Sequence, residues 1–165
     1  MTRSETAVTT IGVTGHIRMQ PRTHRLIFDE LVRLLSGYPG VHGVTCLAEG
    51  ADQLFAEAVR ACHGTFEVVL PVPAAAVPPA APPARLLRQA RRVSWMEVAG
   101  PPEAAYEAAS REVVSRSDIL VAVWDGDLSG GRGGTAETVD WACRHGREVV
   151  RVWPAGARRI TVPVG

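Results

Sequence analysis

Runs of apolar and β-branched residues alternate along this chain with stretches whose apolar positions recur every three or four residues. Ala7 to Val13 is a β-branched run ending in glycine-containing turn chemistry, which predicts a buried strand. From Arg22 to Ser36, Ile27, Leu31, Leu34 and Leu35 fall at helical spacing, and Gly37 supplies a stop. Val41 to Leu47 reads as a second strand. A helix from Ala51 to about His63 follows, with Leu54, Phe55, Ala58 and Cys62 on one face. Phe66 to Leu70 is a third strand, closed by Pro71 and Pro73. Residues 74–84 are only Ala, Pro and Val, which predicts an extended surface loop inside the domain.

A short helix from Arg85 to Arg92 and an extended segment around Ser94 to Val98 come next. Pro102 to Arg116 is helical, with Tyr106, Ala109 and Val113 aligned. Asp118 to Trp124 contains ILVAV without a polar interruption, the pattern of a strand buried on both faces. A glycine-rich stretch from Asp125 to Gly134 leads into a helix from Thr135 to His145. Glu148 to Trp153 is a further strand, and Ile160 to Val164 a last edge strand. Strands and helices alternate, and the strands are apolar on both faces. The pattern predicts an α/β protein: a three-layer, doubly wound, mainly parallel sheet in a single domain over 1–165, with its core at about 7–153.

Composition narrows the chemistry. Of the 165 residues, 18 are basic and 17 acidic, a formal charge of +1, so no strong overall field draws the chain to nucleic acid or membrane. All the basic residues counted there are Arg, with no Lys and no Asn in the chain. That excludes a phosphate-loop lysine, a Schiff base and an N-glycosylation acceptor. Cys46, Cys62 and Cys143 lie far apart without a C-x-x-C pair, which argues against a zinc ribbon or disulfide scaffold. No run approaches the ~20 apolar residues of a membrane span, and Met1 to Thr6 is polar. The expectation is a cytoplasmic protein with no membrane association, metal or cofactor.

In open parallel sheets, ligands lie beyond the carboxyl ends of the strands where strand order reverses. Three turns of unusual composition meet that description. The stretch after ILVAV, Asp125-Gly126-Asp127-Leu128-Ser129-Gly130-Gly131-Arg132-Gly133-Gly134-Thr135, lets backbone approach a ligand and runs into a helix N-terminus that favours an anion. The alternative reading is a flexible surface turn. The first turn supplies Thr14, Gly15, His16 and Arg18, of which Arg18 suits a bidentate phosphate contact; the alternative is that His16 and Arg18 only solvate the turn. The second, Glu49-Gly50-Ala51-Asp52, places Glu49 at the crevice as a ribose ligand and Asp52 as either a helix cap or a site residue. Glu137, in the first turn of the last helix, is either a dipole partner or a working carboxylate, with Asp125 as its partner. Trp124 and Tyr106 offer stacking surfaces, with core packing the blander role. Arg85, Arg88 and Arg92 share one helical face and read as solvated.

Ile11-Gly12-Val13-Thr14-Gly15-His16 with Arg18, Leu47-Ala48-Glu49-Gly50-Ala51-Asp52, and Ala122-Val123-Trp124-Asp125-Gly126 with Gly133-Gly134-Thr135-Ala136-Glu137 together resemble the SLOG superfamily. That group unites Rossmann-like lonely-guy phosphoribohydrolases, the DNA-processing protein A domain and nucleotide-sensing relatives. The resemblance runs in order from about Ile11 to Trp153 and implies a Rossmann-like fold and, since relatives are commonly dimers, a homodimer. In the phosphoribohydrolases the signature is PGGxGTxxE. Aligned on Gly134-Thr135, this chain has Thr138 where that Glu stands and Glu137 one position early, a rotation of about 100° on a helix. In the resembling nucleoside deoxyribosyltransferases an Asp precedes the Glu, and that position is Gly131 here.

The leading expectation is a binding protein for a nucleotide or nucleotide-derived small molecule, a nucleoside monophosphate or ADP-ribose type. The ligand residues are Thr14, Gly15, His16, Arg18, Glu49, Gly50, Asp52, Gly126, Gly130, Gly131, Gly133, Gly134 and Thr135. The rival is an N-glycoside hydrolase or transferase using Glu137 and Asp125. A single-stranded DNA-binding module comes third, since the chain has no convincing basic surface.

Overall fold

A computed structural model describes residues 6–73, 81–129 and 134–160. The elements in chain order are β1 (Thr9–Gly15), α1 (Pro21–Leu35), β2 (Val41–Thr45), α2 (Ala51–Ala61), β3 (Thr65–Pro73), α3 (Ala84–Gln89), β4 (Arg92–Val98), α4 (Pro102–Arg116), β5 (Ile119–Val123), α5 (Thr135–Arg144) and β6 (Glu148–Val152). The sheet order is β4-β3-β2-β1-β5-β6, and every pairing is parallel. This is the expected three-layer, doubly wound α/β arrangement. The chain walks outward from β1 to β4, returns through α4, and continues with β5 on the other side of β1. Strand order therefore reverses between β1 and β5, where the two strands diverge into loops on opposite sides.

Burial follows from that topology. Ile11, Val13, Phe66, Val68, Val121 and Val123 pack with Ile27, Leu31, Phe55 and Val59 of α1 and α2 on one face. Val44 and Val69 meet Ala109 and Val113 of α4 on the other, and Leu120 meets Val114 and Ala142. All five residues of β5 are buried, as its unbroken apolar run demands. Among the described residues no helix is long and apolar enough to cross a membrane.

Several element bounds differ from the sequence expectation for identifiable reasons. β1 extends to Gly15 because Thr14 and Gly15 pair with Ala122 and Val123. β3 continues through Pro71 and Pro73 instead of closing there. The Phe66 carbonyl accepts the Arg91 N–H, so even-numbered residues of β3 turn their peptide groups toward β4 and odd-numbered ones toward β2. Since β2 ends at Thr45, opposite Val68, the missing N–H groups at 71 and 73 cost no ladder bond. The short helix stops at Gln89, and Arg92 opens β4, so Arg85, Arg88 and Arg92 do not share a helical face. Residues 74–80 of the expected Pro/Ala loop lie outside the described residues, and Ala84 belongs to α3. Ile160 is in no strand, and Arg159 makes only an isolated antiparallel bridge with Met19; residues 161–164 lie outside the described residues.

Candidate functional site

The turns beyond β1, β2 and β5 are held to one another through backbone. His16 N–H donates to the Val123 carbonyl at 3.0 Å, and Ala51 N–H donates to the His16 carbonyl at 3.1 Å. Two glycines permit this. A Cβ on Gly15 would lie 2.5 Å from Ala51 Cβ and 2.7 Å from the Val123 carbonyl oxygen. Gly50, the N-cap of α2, has φ +83°, and a Cβ there would meet the Ile17 and His16 carbonyl oxygens at 2.4 and 2.6 Å. Gly50 is thus needed for the turn-to-turn fit.

The same turn disposes of two acidic candidates in different ways. Asp52 is buried, and its Oδ2 accepts the Thr45 hydroxyl and the Cys46 N–H, each at 3.1 Å. Burial outweighs these bonds and pushes its carboxyl up to about 6. Burial, with Asp52 next, raises the Cys46 thiol well above its ordinary range. Glu49, expected to project into the crevice, is exposed instead. Leu47 takes a left-handed conformation (φ 52°) and is buried, so the turn points its apolar member inward and leaves Glu49 in solvent.

Beyond β5, Asp125 is the centre of a polar cluster. Its Oδ1 lies 3.1 Å from His16 Nε2 and accepts the Asp127 N–H at 3.0 Å; its Oδ2 pairs with Arg159 Nε at 2.7 Å. Asp125 N–H donates to His16 Nε2 at 3.1 Å. Burial lowers the His16 pKa more than Asp125 raises it, which favours the neutral ring. Nε2 faces both the Asp125 carboxylate and the Asp125 N–H, and the tautomer decides whether it donates to the one or accepts from the other. Trp153 meets the imidazole edge-on, with centroids 5.3 Å apart. Burial raises the Asp125 carboxyl, but the Asp127 N–H, His16 and Arg159 outweigh it and hold it below its ordinary value. Asp127 Oδ1 accepts the Ser129 N–H at 2.9 Å and its Oδ2 pairs with Arg159 Nη2 at 2.9 Å. The Ser129 contacts, then Arg159, hold Asp127 low as well.

Arg159 was not anticipated. It reaches the cluster because the chain after β6 folds back over the first turn. Gln20 N–H donates to the Arg158 carbonyl, Thr23 exchanges two hydrogen bonds with Arg158, and Ile160 N–H donates to the Arg18 carbonyl. Arg151 was missed too: its Nε and Nη2 donate to the Trp124 and Asp125 carbonyls at 3.0 and 2.7 Å. Gly126, at φ +90°, backs onto that guanidinium. Two aspartates two residues apart beside a glycine-rich turn are the sequence signal that a cation must meet them.

These turns enclose a cleft of about 530 Å³ at the C-terminal ends of β1 and β5. Thr14, Gly15, His16 and Arg18 line it from the first turn, Gly134, Thr135 and Ala136 from the start of α5. Tyr106 and Ser110 of α4, Trp124, Asp52 and Arg159 complete much of the wall. Asp125, Gly126, Glu49, Gly50 and Glu137 are not among its lining residues. Glu137 lies in the first turn of α5. Gly130, Gly131 and Gly133 lie outside the described residues. Arg18 is exposed at the cleft, and the described residues give it no carboxylate partner. The N-cap of α5 is Gly134, which brings no side-chain oxygen to the first-turn N–H groups.

No family model and no curated protein matches the chain. Among solved structures it is similar to DNA processing protein A from Streptococcus pneumoniae, with a TM-score of 0.65 and 15% identity over 90% of this chain and 52% of that one. DNA processing protein A from Helicobacter pylori, described for its single-stranded DNA binding mode, is similar with a TM-score of 0.63 and 16% identity, covering 90% and 67%. A molybdenum cofactor binding protein from the phototrophic bacterium Rippkaea orientalis is similar with a TM-score of 0.58 and 16% identity, covering 88% and 76%. The chain spans about half the length of the pneumococcal protein. The likeness establishes the fold, and it is the Rossmann-like fold that the SLOG resemblance implies.

Proposed function

We propose that the cleft binds a phosphate-bearing small molecule of nucleotide type. The observation that carries this reading is the meeting of an uncapped helix N-terminus with Arg18 in one cleft at the reversal point of the sheet. The phosphate lies against the N–H groups of Thr135 and Ala136, with Thr14, Gly15 and Arg18 on its other side. The base and sugar lie toward Tyr106, Trp124 and Ser110, which offer ring faces and a hydroxyl. His16 and Asp125 support the wall. Both Asp125 oxygens are already engaged, so Asp125 acts through His16 and Arg159 and not as a direct ribose ligand. The similarity to a molybdenum cofactor binding protein supports a small-molecule role; the similarity to DNA processing protein A keeps single-stranded DNA as an outcome of the test.

Isothermal titration of the full chain with AMP, ADP-ribose and a single-stranded oligonucleotide tests the proposal. Saturable binding of either small molecule supports it, whereas binding of the oligonucleotide alone replaces it with the nucleic-acid reading. A cytoplasmic homodimer belongs to the same proposal, and light scattering of the purified protein checks its subunit number.

The enzymatic reading, base release from a nucleoside monophosphate, rests on Glu137, whose place in the first turn of α5 adjoins Thr135 and Ala136. Free base released by the wild-type chain and abolished in Glu137→Gln is its expected signature. Equal release by that variant excludes Glu137 as the essential group.

A further inference from the structure

The opposite end of the sheet holds a second cavity, of about 870 Å³, that the nucleotide reading does not use. It lies at the N-terminal ends of β1 to β4, between the turn after α1 and the turn after α2. Its volume is in the range of small-molecule sites. Its charge has one sign. Among its described lining residues Glu67 is the one carboxylate, and both of its oxygens are spent. His42 Nε2 lies 3.0 Å from Oε2, and Arg116 Nη1 lies 2.8 Å from Oε1. Thr65 Oγ1 closes the floor at 2.8 Å from His42 Nδ1.

Two consecutive arginines share this lining. Arg91 and Arg92 line the cavity and are exposed, and the described residues give neither of them an ion pair. Elsewhere on the surface Arg33 pairs with Glu30, Arg85 with Glu57 and Arg144 with Asp140. The helix ends that face this side do not supply the missing negative charge at full strength, because N–H groups just past each helix cover late carbonyls. Gly37 and Tyr38 donate to Leu34 and Leu35, and His63 and Gly64 donate to Arg60 and Val59. His63 adds a third nitrogen-bearing side chain at the rim, in a left-handed conformation (φ 59°) more often given to Gly or Asn.

We infer that this cavity binds a small phosphate-bearing anion, held by the Arg91 and Arg92 guanidiniums with His63 at the rim. Guanidinium forks match phosphate oxygens in bidentate fashion. A chain of net charge +1 suits a small anion better than a polyanion. The site is separate from the cleft beyond β1 and β5 and shares no lining residue with it.

Backbone amide NMR of the full chain, titrated with inorganic phosphate and with ribose 5-phosphate, tests this. Saturable shifts are expected at Gly40, Gly64, Thr65 and Arg92, unchanged in Arg18→Ala and weakened about tenfold or more in Arg91→Gln/Arg92→Gln. Saturation by both probes identifies the phosphate as sufficient, and saturation by ribose 5-phosphate alone identifies an organic phosphate. Shifts confined to Thr14–Arg18 and Thr135, no saturable shift with either probe, or equal affinity in the double variant would each overturn the inference. Both arginines are exposed, so the double variant is expected to keep the fold, which its amide spectrum reports directly.

Discussion

At the C-terminal end of the sheet the turns are locked by backbone fits around Gly15 and Gly50, while at the N-terminal end the strands are tied by side chains, His42 to Glu67 to Arg116. The two ends also treat a partly or fully desolvated carboxylate in opposite ways. Asp52 is desolvated with only neutral donors around it, and burial prevails, taking its carboxyl up to about 6. Burial pushes Glu67 up as well, but the hydrogen bonds and charges of His42 and Arg116 outweigh it and hold that carboxyl below its ordinary value. A carboxylate met by neutral donors resists ionising; one met by a guanidinium does not.

The largest expected effect comes from breaking the backbone lock. Gly50→Val puts a β-branched side chain at φ +83° and drives Cβ into two carbonyl oxygens, neither of them the end of a flexible side chain. Strain and overpacking together predict a loss of about 4 kcal/mol. Thermal denaturation reads it directly. A loss below about 1 kcal/mol would mean that the turns beyond β1 and β2 are not interlocked as described.

Next in size is the opposition between the two carboxylates. Asp52 has a folded pKa above its unfolded value, so its contribution is fully present below about pH 4 and is lost as pH rises through about 6. The swing is about 3 kcal/mol at most. Glu67 has a folded pKa below its unfolded value, so its contribution is present above 4.5 and is lost as pH falls through the folded pKa. Urea unfolding across pH 3 to 7 should therefore show Asp52→Asn gaining on the wild type between pH 4 and 6. Glu67→Gln should fall behind as pH rises through the folded pKa toward 4.5. Two difference profiles of the same sign would remove the contrast.

The same contrast separates what is legible in the sequence from what is not. The C-terminal end was legible because its turns have a marked composition: Gly12 to Arg18, Leu47 to Asp52 and Asp125 to Thr135 each announce themselves in a short window. The strands were legible too, since β5 reads as pure apolar residues and is buried throughout. The N-terminal network was not, because His42, Glu67 and Arg116 come from β2, β3 and α4, and no local pattern links residues 42, 67 and 116. Arg159 escaped for a related reason. Its partners, Asp125 and Asp127, are more than thirty residues away, and only the fold-back after β6 brings them together. Glu49 is exposed, and nothing in the residue type Leu foretells the left-handed conformation of Leu47 two residues before it.

Removing Arg159 has a smaller effect. Its guanidinium is about one-third exposed (32%), and Arg159→Ala gives up ion pairs to Asp125 and Asp127. Partial exposure screens them, so the expected loss is about 1 kcal/mol, smaller at high salt. Loss of Arg159 also lets the Asp125 and Asp127 carboxyls rise, so the penalty shrinks as pH falls toward 3. Urea unfolding at low and high salt measures both. A penalty insensitive to salt would assign Arg159 a packing role and not an electrostatic one.

Arg18 carries the smallest expected effect on folding and the most informative one on function. It is exposed and makes no ion pair among the described residues, so Arg18→Ala should change stability by less than about 0.5 kcal/mol. If the phosphate of a nucleotide lies between Arg18 and the start of α5, the same change removes a charge-assisted contact and weakens AMP or ADP-ribose binding about tenfold, or about 1.4 kcal/mol. Arg91→Gln/Arg92→Gln, at the other end of the sheet, should leave that affinity unchanged while weakening the phosphate response there about tenfold or more. Isothermal titration of both variants gives a two-by-two result in which each end answers only to its own arginines. Loss of nucleotide affinity in the Arg91/Arg92 variant, with none in Arg18→Ala, would move the nucleotide to the N-terminal cavity and leave the cleft without its ligand.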